Sequence, residues 1–222
     1  MLPCAKKYRL ATFILFMLIG SSVNAQETSW IIRGGAVYAV TASDESVSIA
    51  TLTPPLTQER TTNRISDGPG LGVGLEYLLT QRIGLEIATL YTFHDSDVVI
   101  VNDLGSFTAT DSIGLRTFTL GANYHFPAQG RALWSVGGYL ALTFSDDVTL
   151  SFPALGRTDT LSFDQDYGLG VKAGMDLPFA PGSPWTFSVE GRYMFTILES
   201  EAAGSDLDLN PVVLSLSVGY RF

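Results

Sequence analysis

Gly70-Leu71-Gly72-Val73-Gly74-Leu75-Glu76-Tyr77-Leu78-Leu79-Thr80-Gln81-Arg82-Ile83-Gly84-Leu85-Glu86-Ile87 is the stretch whose pattern decides the fold. Leu71, Val73, Leu75, Tyr77 and Leu79 alternate with Gly70, Gly72, Gly74 and Glu76, and after Thr80-Gln81-Arg82 the alternation resumes. A period of two marks a strand, because successive side chains leave opposite faces of an extended backbone. Two such runs joined by three polar residues form a hairpin.

Working outward, the same pattern recurs until there are eight strands. The first sets Trp30, Ile32, Ala36, Tyr38 and Val40 against Arg33, Gly35, Val37 and Ala39, and the third continues through Tyr91 and Phe93 opposite Leu90 and Thr92. The fourth sets Phe118, Leu120, Ala122, Tyr124 and Phe126 against Arg116, Thr117, Thr119, Gly121 and Asn123. Trp134 to Phe144, Gly168 to Leu177, Trp185 to Ile197 and Val212 to Phe222 complete the set. Nothing after Ala25 reads as a linker, so residues 26–222 are expected to form one domain.

Alternation alone fits a soluble sandwich or a membrane barrel. Three features favour the barrel. The polar face is crowded with Gly, Ser and Thr, which suit a cramped lumen better than a solvated surface. Aromatic residues gather toward the ends of the apolar face, as membrane girdles do. Connections alternate between long (41–66, 94–112, 145–163, 199–209) and short (Thr80 to Arg82, Pro127 to Arg131, Pro178 to Pro184). The expected fold is all-β: an eight-stranded antiparallel transmembrane β-barrel with long extracellular loops and short periplasmic turns. Tyr220 and the terminal Phe222 resemble the membrane-insertion signal read by the barrel-insertion machinery.

The first 25 residues read as a cleaved signal peptide: Lys6, Lys7 and Arg9, an apolar run from Leu10 to Ile19, and small residues at Val23 and Ala25. The run is shorter than the ~20 residues of a spanning helix. Removing the leader leaves 10 Lys+Arg against 22 Asp+Glu, a balance of −12, which argues against a nucleic-acid partner. Cys4 lies in the leader, so the mature chain is expected to carry no disulfide.

An eight-stranded barrel is narrow enough for side chains to fill. The inward charges, basic Arg33, Arg116, Lys172, Arg192 and Arg221 and acidic Glu76, Glu86, Asp176 and Glu190, nearly balance. Of these, Arg33, Glu76, Glu86, Lys172, Asp176, Glu190, Arg192 and Arg221 are expected to form a lumen charge plug toward the periplasm. The inward apolar residues Val37, Leu90, Tyr139 and Met194 fall in the extracellular half, either as the lining of a ligand funnel or as filler. Acidic groups at Asp44/Glu45, Asp95/Asp97, Asp146/Asp147 and Glu199/Glu201/Asp206/Asp208 lie in the long connections. There they could share the divalent cations of lipopolysaccharide or simply keep the rim soluble. His94, Ser96 and Asp97 are the nearest approach to a catalytic set, and a His-x-Ser at a loop edge is a weak signal. No catalytic residue, metal ligand or cofactor is expected.

The second hairpin, Gly70 to Glu86 and on to Phe93-His94, is similar to the second and third strands of the OmpW outer-membrane proteins. The close from Asp208-Leu209-Asn210-Pro211-Val212-Val213 to Val218-Gly219-Tyr220-Arg221-Phe222 resembles the end of the same family, and Gly170 to Asp176 with Glu190 to Tyr193 fits the preceding hairpin. One departure is that Gly114-Leu115-Arg116-Thr117 stands where family members commonly carry Leu-Pro-Pro-Thr. The resemblance implies a barrel that admits small hydrophobic molecules from outside and releases them sideways into the outer membrane, with outer-membrane lipid and lipopolysaccharide as its surroundings. The competing expectation is a non-transporting barrel for envelope structure, adhesion or stress that acts through its loops.

Overall fold

The computed structural model describes residues 29–41, 46–51, 58–103, 105–126, 132–146, 148–152, 157–161, 165–195, 197–200, 205–208 and 210–222. The expected leader lies outside them. The barrel wall is built from Ser29–Val40 (β1), Gly68–Leu78 (β4), Ile83–Asn102 (β5), Gly105–His125 (β6), Leu133–Ser145 (β7), Asp166–Pro178 (β10), Trp185–Phe195 (β11) and Val212–Arg221 (β14). Each pairs antiparallel with the next, and β14 pairs back with β1, so the ring closes with eight strands. Phe222 completes the seam: its N–H donates to the Trp30 carbonyl at 3.0 Å, and the Trp30 N–H donates to the Phe222 carbonyl at 2.9 Å.

Closure satisfies the backbone groups that an open edge would leave unpaired in lipid. The apolar face points outward, leaving Leu71, Leu140 and Leu169 more than half exposed, as a wall against acyl chains requires and a soluble surface does not. Aromatic pairs mark two belts. Near the rim that carries the short turns lie Trp30–Tyr77 (centroids 4.7 Å apart), Trp185–Tyr220 (4.8 Å) and Tyr124–Phe126 (5.3 Å). Toward the other rim lie Tyr91–Phe93 (4.5 Å), Phe118–Phe144 (6.0 Å) and Tyr193–Phe195 (4.7 Å).

The long connections differ from expectation. Residues 94–112 are not a loop: β5 and β6 continue as one ladder from Ile83↔Tyr124 to Asn102↔Gly105. Within 41–66, Ser46–Thr51 (β2) and Gln58–Ile65 (β3) form a hairpin whose second strand pairs with the upper part of β5. Val148–Phe152 (β8) with Arg157–Leu161 (β9), and Ile197–Ser200 (β12) with Ser205–Asp208 (β13), are two more hairpins. The β-branched run Val98-Val99-Ile100-Val101 and the Thr residues facing it favour extended backbone, and their inner face is apolar. Ile65, Val98, Ile100, Ala109 and Ile113 are all buried there. Length alone had suggested loops, but alternation persists past the membrane.

Candidate functional site

Inward positions on the lower halves of β1, β4, β5, β6, β10 and β11 converge on one charged network. Arg33 donates from Nη1 to Glu76 at 2.7 Å and from Nη2 to Asp176 at 2.8 Å. Glu76 is fully buried, and its other oxygen accepts from Asn123 Nδ2 (2.7 Å) and His125 Nε2 (2.8 Å). A Cβ on Gly84 would lie 2.2 Å from this carboxylate, so the position has to be glycine for Glu76 to seat there. Glu86 accepts from Lys172 Nζ (2.6 Å) and Arg192 Nη2 (2.9 Å), both of which also donate to Glu190. Ser188 donates to Asp176. Every charge therefore has an opposite partner and further hydrogen bonds, the condition under which buried ions are tolerated.

Seven of the eight residues expected in the plug meet in this network. Arg221 does not: it sits exposed at the rim and donates from Nε to Ser29 Oγ at 3.1 Å, because the last inward position of β14 lies below the acidic layer. Arg116 is also displaced, since its even number places it with Phe118 on the outer face. There it pairs with Asp146 at 3.2 Å and lies over the Tyr91 ring at 5.5 Å. Asn123 and His125, not assigned to the plug from sequence, are members of it. Their signal was available in the odd-numbered inward register of β6.

Above the plug the lumen turns apolar. Val37, Leu90, Tyr139 and Met194 all point inward and are buried. Val37 and Leu90 pack with Ala39 and Val213, while Tyr139 and Met194 pack with Ala141. A Cβ on Gly170 would come 2.2 Å from Tyr139 Cζ, so the ring lies across the glycine, and its hydroxyl donates to the Tyr193 carbonyl at 3.2 Å. Small cavities lie in the lumen among the described residues. One of about 50 Å³ lies between the plug and Val37, Ala88 and Leu90; another, of about 30 Å³, lies above it between Leu90, Tyr139, Met194 and Val213.

His94 and Ser96 share the inner face of β5, and both are buried. Both imidazole nitrogens are engaged, Nδ1 at 2.8 Å from the Ser66 carbonyl and Nε2 at 2.8 Å from Thr92 Oγ1, which leaves none for Ser96. Asp97 accepts from Thr110 on the outer face. The three residues do not form a nucleophile–base–acid chain.

The OmpW family model matches residues 26–222. The chain belongs to the OmpW family. It is 24% identical over 207 residues to outer membrane protein W of Vibrio cholerae, covering 89% of this chain and 90% of that one. Among solved structures, OprG of Pseudomonas aeruginosa superposes with a TM-score of 0.67 at 19% identity over 87% of this chain and 95% of that one. AlkL, determined by solid-state NMR in DMPC bilayers, does so at 0.54 and 14% identity over 91% and 93%. This OmpW-family barrel is thus a protein of the Gram-negative outer membrane. Gly114-Leu115-Arg116-Thr117 is part of the continuous wall. The segment pairs with Leu90 to Phe93 of β5 on one side, and Leu115 to Thr117 pair with Thr143 to Ser145 of β7 on the other, leaving the wall unbroken.

Proposed function

We propose that this barrel carries small hydrophobic molecules across the lipopolysaccharide leaflet into the outer membrane. The observation that carries the reading is the division of the lumen: a fully paired charge network closes the periplasmic half, and a layer without Lys, Arg, Asp or Glu, built on Val37, Leu90, Tyr139, Met194 and Val213, lies above it. Such an interior offers an apolar solute a desolvated site while opening no water path to the periplasm. Val98, Ile100, Ala109 and Ile113 on the inner face of the β3–β5–β6 extension prolong the layer outward, interrupted by His94, Ser96 and Asp111. With β6 paired on both sides at Leu115 to Thr117, sideways release uses a thinner part of the wall. Gly74 and Ala88 line both the lower cavity and a lipid-facing groove of about 400 Å³ bounded by Leu75, Ile87 and Phe118.

The test is octane uptake by cells with an intact lipopolysaccharide leaflet, with and without the barrel. The barrel is expected to accelerate uptake. Leu90→Arg with Met194→Arg is expected to cut that acceleration at least about tenfold, because two charges in the apolar layer must be solvated at its expense. Met194→Trp, which fills the cavity without adding charge, guards against misfolding, and folding of each variant is followed by its heat-dependent shift on gels. Equal uptake with and without the barrel would overturn the reading and leave a structural or loop-mediated role.

A further inference from the structure

The upper cavity is not uniformly apolar. Thr92, His94, Thr117 and Thr143 line it together with Leu90 and Met194, and all four are buried. They sit together because Leu90↔Thr117 and Thr117↔Thr143 are register partners, so the inward face of β5, β6 and β7 forms one row, with Thr92 and His94 directly above it. The hydrogen bonds within this belt leave definite capacity unused. His94 Nδ1 faces a carbonyl and therefore carries the proton, so Nε2 accepts from the Thr92 hydroxyl. Thr92 Oγ1 keeps its lone pairs. Thr117 and Thr143 lie 3.1 Å apart, and only one of their two hydroxyl protons lies between them. The belt thus presents one hydroxyl proton and several acceptor lone pairs to the cavity.

It presents no charge. In the plug below it, Arg192 directs Nε to Glu190, Nη2 to Glu86 and Nη1 to Thr119, so each nitrogen of its guanidinium already has an acceptor. An anionic head group would gain no counter-ion here and would lose its hydration. A pure hydrocarbon would leave the belt's donor unmatched at the moment of passage.

We propose that the hydroxyl belt makes the barrel selective for neutral apolar molecules bearing a single oxygen, of the medium-chain alcohol class, over both alkanes and carboxylates. This rests on the uptake reading above and names its substrate class. The cavity accommodates the oxygen-bearing head. The tail displaces Met194, whose unbranched thioether side chain readily adopts other rotamers.

The experiment compares uptake of labelled 1-octanol, octane and octanoate by cells with an intact lipopolysaccharide leaflet, each rate taken relative to cells lacking the barrel. The octanol-over-octane ratio is expected at about three- to tenfold, the worth of one net hydrogen bond. Thr117→Val with Thr143→Val is expected to bring it toward one. Removing both partners of a bond leaves neither unsatisfied, so the variant folds, as its gel shift checks. A second readout is the Met194 methyl resonance of the barrel in nanodiscs, expected to move with octanol and not with octanoate. Equal acceleration of octane and octanol, unaffected by the valines, overturns the selectivity while uptake stands. Octanoate matching octanol overturns the requirement for a neutral solute. Acceleration of none of the three overturns the uptake reading and this inference with it.

Discussion

Glu76→Ala is expected to cost the folded barrel about 3–5 kcal/mol, the range for removing one partner from a buried ion network. The carboxylate is completely buried and satisfies three donors, Arg33, Asn123 and His125. Alanine leaves Arg33 with Asp176 and Asn123 with the longer bond to Glu86 at 3.3 Å, and strands His125 inside the wall. Glu76→Gln should recover little. Its amide offers one oxygen, whereas donors approach both carboxylate oxygens, so its NH2 must confront a donor. Urea unfolding in lipid vesicles measures the loss. A change below about 1 kcal/mol, the scale of an exposed pair, would show that the network is solvated and not a plug. Arg116→Ala is the internal control: its pair with Asp146 is half exposed on the outer rim and should fall within that smaller range.

The contrast between these two arginines shows what was readable in the sequence. The ring, the lipid-facing side and the two aromatic belts follow from a period of two, because parity decides which face a residue takes. Parity with height along the strand places Arg33, Glu76, Glu86 and Asp176 in the lower lumen, and parity alone turns Lys172, Glu190 and Arg192 inward. Arg116 reads as inward from its neighbours' polarity, whereas its parity with Phe118 puts it on the outer face. Arg221 had the right parity but lay too far down the strand to reach an acid. Asn123 reads as inward and His125 as a lumen or rim residue, but uncharged polar residues give no pairing signal, and only the position of Glu76 shows what they donate to. The hairpin extensions of β5 and β6 read as loops because the girdle at Tyr91 and Phe93 looks like the end of the strand. Backbone pairing above a membrane needs no lipid-facing pattern, only β-forming residues and a partner.

Gly170→Val is expected to destabilise the barrel by about 3 kcal/mol, the upper part of the overpacking range. Even a bare Cβ there would sit 2.2 Å from Tyr139 Cζ, because Gly170 is the tyrosine's register partner on β10. An aromatic ring laid across a glycine covers backbone that would otherwise be bare, and it cannot withdraw without losing the bond to the Tyr193 carbonyl and the Arg192 guanidinium 5.7 Å from its centre. If the clash is the cause, Tyr139→Ala must relieve it. The double variant should then be more stable than the sum of the two single losses predicts, with a coupling of about 1–3 kcal/mol in denaturant titrations. Because Tyr139 roofs the plug and borders the upper cavity, the double variant also widens the apolar layer, and octane uptake should rise. Additive stabilities would mean that β10 shifts to accommodate valine, and the tyrosine would then be filler with no part in setting the width of the lumen.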